Sequence, residues 1–307
     1  MSLSYQSYDF TPILGWSISR YECFDKCKRH YYYTYYAKHA RDVAPYKIKQ
    51  LKDLTSAPLE IGNVVHDVIE AFLRRLQISD ADIDEQRFFQ FARQKAQEAF
   101  GAKTFLENYY GALKPANLED AFAKINACLQ NFIGSPCYSW IFMKAMTNKT
   151  DWLIEPPGYG ETRLNGMKAY CKMDFLFPVD GAVHILDWKT GAKDSHKHAN
   201  QLIGYAAAAQ SNFNIPGNAI FPKIVYLFPA FEEFELARQE DFTPFFDKVK
   251  QQTEAMYALC ADVEKNIPLD IDAFPKSPSQ GLCLFCNFQE PCFSKKGFPQ
   301  GNSGESF

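Results

Sequence analysis

Residues 161–191 read ETRLNGMKAYCKMDFLFPVDGAVHILDWKTG, and this stretch decides the fold. Asn165-Gly166 suits a tight type I′ turn and Asp180-Gly181 makes a second one. They divide the stretch into three strands: Glu161 to Leu164, Met167 to Phe177, and Ala182 to Trp188 with apolar Val183, Ile185 and Leu186. Asp174 falls late in one strand and Asp187 near the end of the next. In an antiparallel meander, two such carboxylates can converge on one hard cation. Lys189 lies two positions beyond Asp187, so the period of a strand puts both side chains on one face. A lone Asp-x-Lys is more often a surface ion pair. Here an apolar strand delivers it to its end and Thr190-Gly191 follows, which is a stronger pattern.

Working outward, the periodicity predicts a helix after Ser17 or Ser19, from Arg20 to about Tyr36. Pro45 to Pro58 reads as a linker. Ile61, Val65, Val68, Ile69, Phe72 and Leu76 mark a second helix, and further helices are expected from about Ile83 to Phe100 and Leu118 to Phe132. Pro156-Pro157-Gly158 breaks the chain before the strands. After them come a helix from about His198 to Gln210, a strand from about Lys223 to Phe228, and a long helix from Pro244 to about Lys265. The expected class is α/β, a central sheet flanked by helices and carrying the site. Residues 1–15 and 294–307 read as tails around a single domain, 16–293, with a helical insertion at about 80–150 and a catalytic core at about 155–230.

The chain has 307 residues, 47% of them apolar and 22% charged, enough for a full hydrophobic core. Its net charge of -3 gives no global cationic field for nucleic acid. Between Arg20 and Asp53, however, nine Lys/Arg stand against four Asp/Glu, a stretch that is either a solvated helix face or a cradle for phosphates. The many rings at Tyr31 to Tyr36 and Phe88 to Phe105 read first as core, with base stacking as the alternative. No export signal and no run of apolar residues long enough for a membrane span are visible, so a cytoplasmic location without a membrane partner is expected.

Nine cysteines in such a chain argue against a disulfide framework. Three of them, Cys283, Cys286 and Cys292, follow C-x2-C-x5-C, which is metal or cluster spacing. They need a fourth ligand. Cys23 and Cys27, spaced i, i+4 on the first predicted helix, are the candidates, and either would clip the two ends of the chain together. Cys128, Cys137, Cys171 and Cys260 read as small buried hydrophobes.

Two further pairs stand at helical spacing. His66 and Glu70 share a face, where both could approach a metal and where imidazole would suit Mn²⁺ better than Mg²⁺; solvated or packed side chains are the bland alternative. Gln201 and Tyr205 share a face of the helix after the site strand. They are either a surface pair or groups placed near the attacked phosphate and its base.

Taken in order, these segments resemble the RecB-like nucleases of the P-D-(D/E)-X-K type. The resembling segments are Ser17-Ile-Ser19 with Cys27…Tyr31-Tyr-Tyr33, Gly62-x-x-x-His66, Glu161…Gly166…Asp174, Asp187-Trp-Lys189-Thr-Gly191, and Gln201-x-x-x-Tyr205. The terminal cysteines are similar to the cluster-bearing branch, which includes the CRISPR-associated RecB-like exonucleases and the AddB nuclease domain. Lys28 departs from the Pro expected after the first cysteine, and Cys171 from a Gly before the metal Asp. The resemblance implies a restriction-endonuclease-like core with a helical N-terminal part and a C-terminal cysteine segment. It implies Mg²⁺ or Mn²⁺ held by His66, Asp174 and Asp187, with Glu70 and Glu161 as further candidates, and Lys189, Gln201 and Tyr205 as catalytic groups. It also implies a 4Fe–4S cluster on Cys27, Cys283, Cys286 and Cys292, with Cys23 the competitor for Cys27. The substrate would be DNA, in repair, recombination or related processing, with a separate helicase or CRISPR-adaptation proteins as partners. Two rivals are a non-catalytic DNA-binding or scaffold subunit and a zinc-binding interaction module.

Overall fold

The structure, a computed structural model, describes residues 6–79, 81, 83–236 and 240–293. The helical first half comprises α1 (Ile18–Lys26), α2 (Lys28–Tyr35), α3 (Pro45–Lys52), α4 (Ala57–Ile78), α5 (Glu85–Ala102), α6 (Leu106–Tyr110), α7 (Leu118–Ile133) and α8 (Pro136–Met143). Then come β1 (Leu153–Ile154), β2 (Glu161–Leu164), β3 (Met167–Tyr170), β4 (Phe175–Val179), β5 (Ala182–Lys189), α9 (Ser195–Phe213), β6 (Ile220–Tyr226) and β7 (Glu232–Glu235). The chain closes with α10 (Thr243–Tyr257), β8 (Cys260–Asp262), β9 (Ile267–Pro268), α11 (Gln280–Cys283) and α12 (Gln289–Phe293).

The main sheet runs β1-β4-β5-β6-β7. Its pairs are antiparallel except β5 with β6, which α9 joins as a parallel crossover. Strand alternation sorts its side chains onto two faces. Leu176, Val183, Ile185 and Ile224 enter a core with the alanines of α9 and the tyrosines of α2. Phe175, Phe177, Leu186, Trp188 and Val225 enter the other, with the apolar stripe of α4 and with α7. Both faces are therefore covered, the mixed sheet flanked by helices that the sequence predicts, and the restriction-endonuclease-like arrangement.

Four local expectations are corrected. Met167 to Phe177 is not one strand: β3 pairs with β2 in a separate hairpin, and β4 starts a new alignment with β5 and β1. Arg20 to Tyr36 is not one helix. Cys27 is extended (φ -158°, ψ 112°), and the N–H of Arg29 in the first turn of α2 donates to the Pro275 carbonyl at 3.2 Å. A segment some 250 residues away in sequence thus caps α2. The expected linker at Pro45 to Pro58 holds α3 and the start of α4, each with proline in its first turn, where the missing N–H costs nothing. The helix from Pro244 stops at Tyr257; β8 and β9 follow, and Tyr36 holds their turn by donating to Asn266 Oδ1 at 2.7 Å.

The described part of the expected N-terminal tail packs on the domain. Leu14 is buried, and Lys168 Nζ donates to the Thr11 carbonyl at 2.7 Å. The expected tail at 294–307 lies outside the described residues. Most rings of the two aromatic stretches are core: Tyr31, Tyr32, Tyr33 and Tyr36 are buried against Phe274 and Phe288, and Phe88 packs on Phe72.

Candidate active site

β4 pairs antiparallel with β5 so that Phe175 faces Leu186. One step further along this register, Asp174 at the mouth of β4 faces Asp187 near the end of β5. Asp174 therefore enters the site from the residue before its strand, not from late within one. Both carboxylates are buried, at the end of the interior strand pair β4 and β5, between α4 and α9.

Each carboxylate is held differently. Asp174 Oδ2 accepts the Trp188 backbone N–H at 2.9 Å, and Oδ1 lies 3.2 Å from His66 Nδ1 on α4. His66 Nε2 donates to the Trp188 carbonyl at 2.9 Å, which turns Nδ1 toward Asp174. Burial alone would lower the imidazole, but Asp174, with Asp187 behind it, pushes it up to about 9. Burial likewise works against the ionised Asp174, and His66, Lys189 and the Trp188 N–H outweigh it, so this carboxyl is held below its usual range. Asp187 goes the other way: burial and the neighbouring Asp174 charge raise it, against the pull of Lys189 and Tyr205. Two carboxylates pushed apart in this way are characteristic of working sites.

Asp187 Oδ1 accepts from Tyr205 at 2.5 Å and from Gln201 at 3.3 Å, and Gln201 also donates to the Tyr205 hydroxyl at 2.5 Å. The i, i+4 pair on α9 is thus no surface pair. Tyr205 is buried and orients Asp187. Asp187 Oδ2 is fully enclosed and makes no well-formed hydrogen bond; the Lys189 ammonium pairs with it. Lys189 keeps 24% of its side chain exposed, at the floor of an open cleft of about 460 Å³ between α1, α9 and the strand ends.

A residue the sequence reading did not single out completes the cluster. Glu155, which follows β1, joins His66 and Asp174, with one ligand atom of each within 4.8 Å of the others. Its backbone N–H donates to the Asp174 carbonyl at 3.0 Å, and Lys172 pairs with its carboxylate. Burial raises its carboxyl, with Asp174 adding to the rise. The available signal was an acid directly after the apolar pair Leu153-Ile154 and before the prolines. Glu161 stands elsewhere, on β2, paired with Arg163 at 2.8 Å. Glu70 is paired with Arg74 at 2.7 Å, one turn beyond His66.

Part of the basic stretch from Arg20 is engaged inside the fold: Lys28 donates to the Phe24 carbonyl, Arg29 to that of Phe274, and Lys47 pairs with Glu290, while Lys26, Lys38, Arg41, Lys49 and Lys52 are exposed. The first and last segments of the domain meet there. Burial raises the Cys286 thiol to about 12, with Cys292, Cys27 and Cys283 adding to the rise, and it raises Cys292, with Cys27 and Cys283 again among the neighbours. Burial raises the Cys23 thiol to about 11; Thr34 is its hydrogen-bond partner and Cys27 a neighbouring thiol that adds to the rise. With the helix broken at Cys27, the two cysteines no longer share one helix face. Backbone N–H groups of Ser279 and Phe288 donate to the sulfurs of Cys283 and Cys286, each at 3.4 Å.

Comparison with known proteins agrees with this geometry. Residues 15–293 match the PD-(D/E)XK nuclease superfamily, and the chain belongs to that superfamily. No curated protein matches significantly. Among solved structures, one described as the crystal structure of SSO0001 is similar at 13% identity, covering 67% of this chain and 82% of that one with a TM-score of 0.29. No helix in the described residues is long and apolar enough to cross a membrane.

Proposed function

We propose that this member of the PD-(D/E)XK nuclease superfamily is a metal-dependent deoxyribonuclease, acting as an exonuclease in DNA repair, recombination or related processing. The observation that carries the reading is the convergence of buried Asp174 and Asp187 with Lys189 beneath an open cleft. The donor set fits a hard divalent cation. His66, Glu155 and Asp174 offer ligand atoms within 4.8 Å of one another, and Asp187 Oδ2 is an enclosed oxygen paired with the Lys189 ammonium. These four residues would hold Mg²⁺ or Mn²⁺, which supplies Lewis-acid polarisation of the phosphodiester and acidifies water. Tyr205 fixes the rotamer of Asp187, and Trp188 N–H that of Asp174. The Lys189 ammonium offsets phosphate charge and orients the attacking water, with the Gln201 amide beside it.

The four thiols of Cys27, Cys283, Cys286 and Cys292 are proposed to hold a 4Fe–4S cluster, which would clip the ends of the domain together. The mutual influence of these thiols and the N–H donors on two of them support that assignment. A helicase or CRISPR-adaptation proteins fit this role as separate partners.

End-labelled DNA digestion with Mg²⁺ or Mn²⁺, using anaerobically purified protein, tests the reading. Wild-type protein is expected to shorten the strand from an end, and folded Asp187→Ala and Lys189→Ala proteins are expected to leave it intact. Cleavage retained by pure Asp187→Ala would refute the site. DNA binding without cleavage by the wild type would point to a scaffold role. A colourless protein that contains zinc and no iron would replace the cluster with Zn²⁺.

A further inference from the structure

The segment Gly158-Tyr159-Gly160 enters the left-handed region at three consecutive residues, with φ of 62°, 59° and 70°. Glycine adopts this conformation freely; a bulky tyrosine does not. The loop is nonetheless firmly seated. Gly160 accepts from the Cys171 N–H at 2.9 Å, and a Cβ at Gly160 would lie 2.3 Å from the Cys171 carbonyl oxygen, so no other residue fits so close. This seat is on the segment that leads directly into Asp174. The strained conformation does not bury the ring, since Tyr159 is 79% exposed. It stands at the wall of the same cleft, whose lining also includes Glu22, Lys172, Lys189, Lys197, Gln201 and Ser17; Lys172 is paired with Glu155, and Lys197 with Glu22 at 2.9 Å.

A strained, anchored backbone that displays an exposed aromatic ring beside cations and a hydrolytic centre has a specific use. We infer that Tyr159 is a stacking platform for an unpaired nucleobase next to the scissile phosphate, which makes a single-stranded DNA end the preferred substrate. This rests on the nuclease reading above and extends it to the strandedness of the substrate. Lys172 and Lys197 lie on the path of the backbone phosphates, while the ring accepts any base, because every base has a π-face. A base inside a duplex is covered by its neighbours and cannot reach the ring.

Tyr159→Asn removes the ring without added backbone strain, because Asn tolerates the left-handed region, and Tyr159→Phe keeps the ring. Single-stranded oligonucleotides with normal bases, and the same strands with abasic residues near the cleaved end, are compared for KM and kcat and for binding by anisotropy in chelator. A 2-aminopurine at the cleaved end reports stacking as fluorescence quenching. Tyr159→Asn is expected to raise KM and Kd on base-bearing strands about 5- to 100-fold, with kcat little changed and the quenching lost. On abasic strands it should match the wild type, and Tyr159→Phe should match the wild type throughout. Equal losses of Tyr159→Asn on base-bearing and abasic strands, or no loss on either, would overturn the inference, as would tighter wild-type binding to blunt duplex ends than to single strands. If the wild type binds and quenches but never cleaves, the nuclease reading fails while the stacking platform stands.

Discussion

Lys189→Ala should change stability as a function of pH in a way that follows from the burial of its partner. Asp187 is 3% exposed at its side chain and Asp174 11%, whereas Lys189 is 24% exposed. Removing the ammonium leaves two enclosed carboxylates with His66 as their contacting cation and Lys172 further out. Breaking a buried ion pair from one side costs about 3–5 kcal/mol. Here there is a ceiling. Asp187 already lies above its ordinary value, through burial and Asp174, and without Lys189 it rises further. Once the ionic form costs more than protonation, the carboxyl takes a proton instead. At pH 7 that costs about 4 kcal/mol, from roughly three units between pH 7 and an ordinary Asp value near 3.9, at about 1.4 kcal/mol each. At pH 5 the same ceiling is about 1.5 kcal/mol. The sign is that of an acid whose folded value is raised: the destabilisation is present at high pH and fades as pH falls toward the unfolded value. In chelator, denaturant unfolding followed by tryptophan fluorescence and circular dichroism should therefore show Lys189→Ala less stable than wild type by about 2–4 kcal/mol at pH 7 and by less than about 1.5 kcal/mol at pH 5. Metal content must be matched between the two proteins. Saturating Mg²⁺ should recover much of the loss at pH 7, since a ligand at about 100 times its Kd adds about 2.7 kcal/mol. A deficit that is absent at pH 7, or that grows as pH falls, would refute the buried-pair argument.

Three other outcomes are expected. His66→Ala should weaken cleavage more in Mn²⁺ than in Mg²⁺, because imidazole is the softer ligand; equal loss in both metals would make His66 a packing residue that holds the Trp188 carbonyl. Cys27→Ala should lose iron and the broad visible thiolate-to-iron band and become much less stable, while Cys23→Ala keeps both; iron analysis showing the reverse would move the fourth ligand to Cys23. Gly160→Ala should lower stability by about 1–3 kcal/mol, since it forces both a left-handed φ and a contact with the Cys171 carbonyl; an unchanged denaturation midpoint would mean that the loop seat is softer than its geometry shows.

Much of this protein was legible in residue order. The turns at Asn165-Gly166 and Asp180-Gly181 and the apolar run before Asp187 are local signals, and they set the hairpin, β5 and the shared face of Asp187 and Lys189. The apolar stripe of α4 placed His66, and helical spacing put Gln201 with Tyr205, because each is dictated within a few turns of one helix. What residue order left open depends on pairing between distant segments. Glu155 joins the site only because β1 pairs with β4, and Glu161 stays apart only because its hairpin separates from the main sheet before Asp174. Cys27 is extended where the Phe274-Pro275 segment returns to cap α2, and that break takes it off the helix face of Cys23. Tyr159 follows the chain break at Pro156-Pro157-Gly158 and carries no pattern of its own. Its place on the wall of the cleft comes from the seat of Gly160 on Cys171, a contact between backbones that side-chain patterns do not encode.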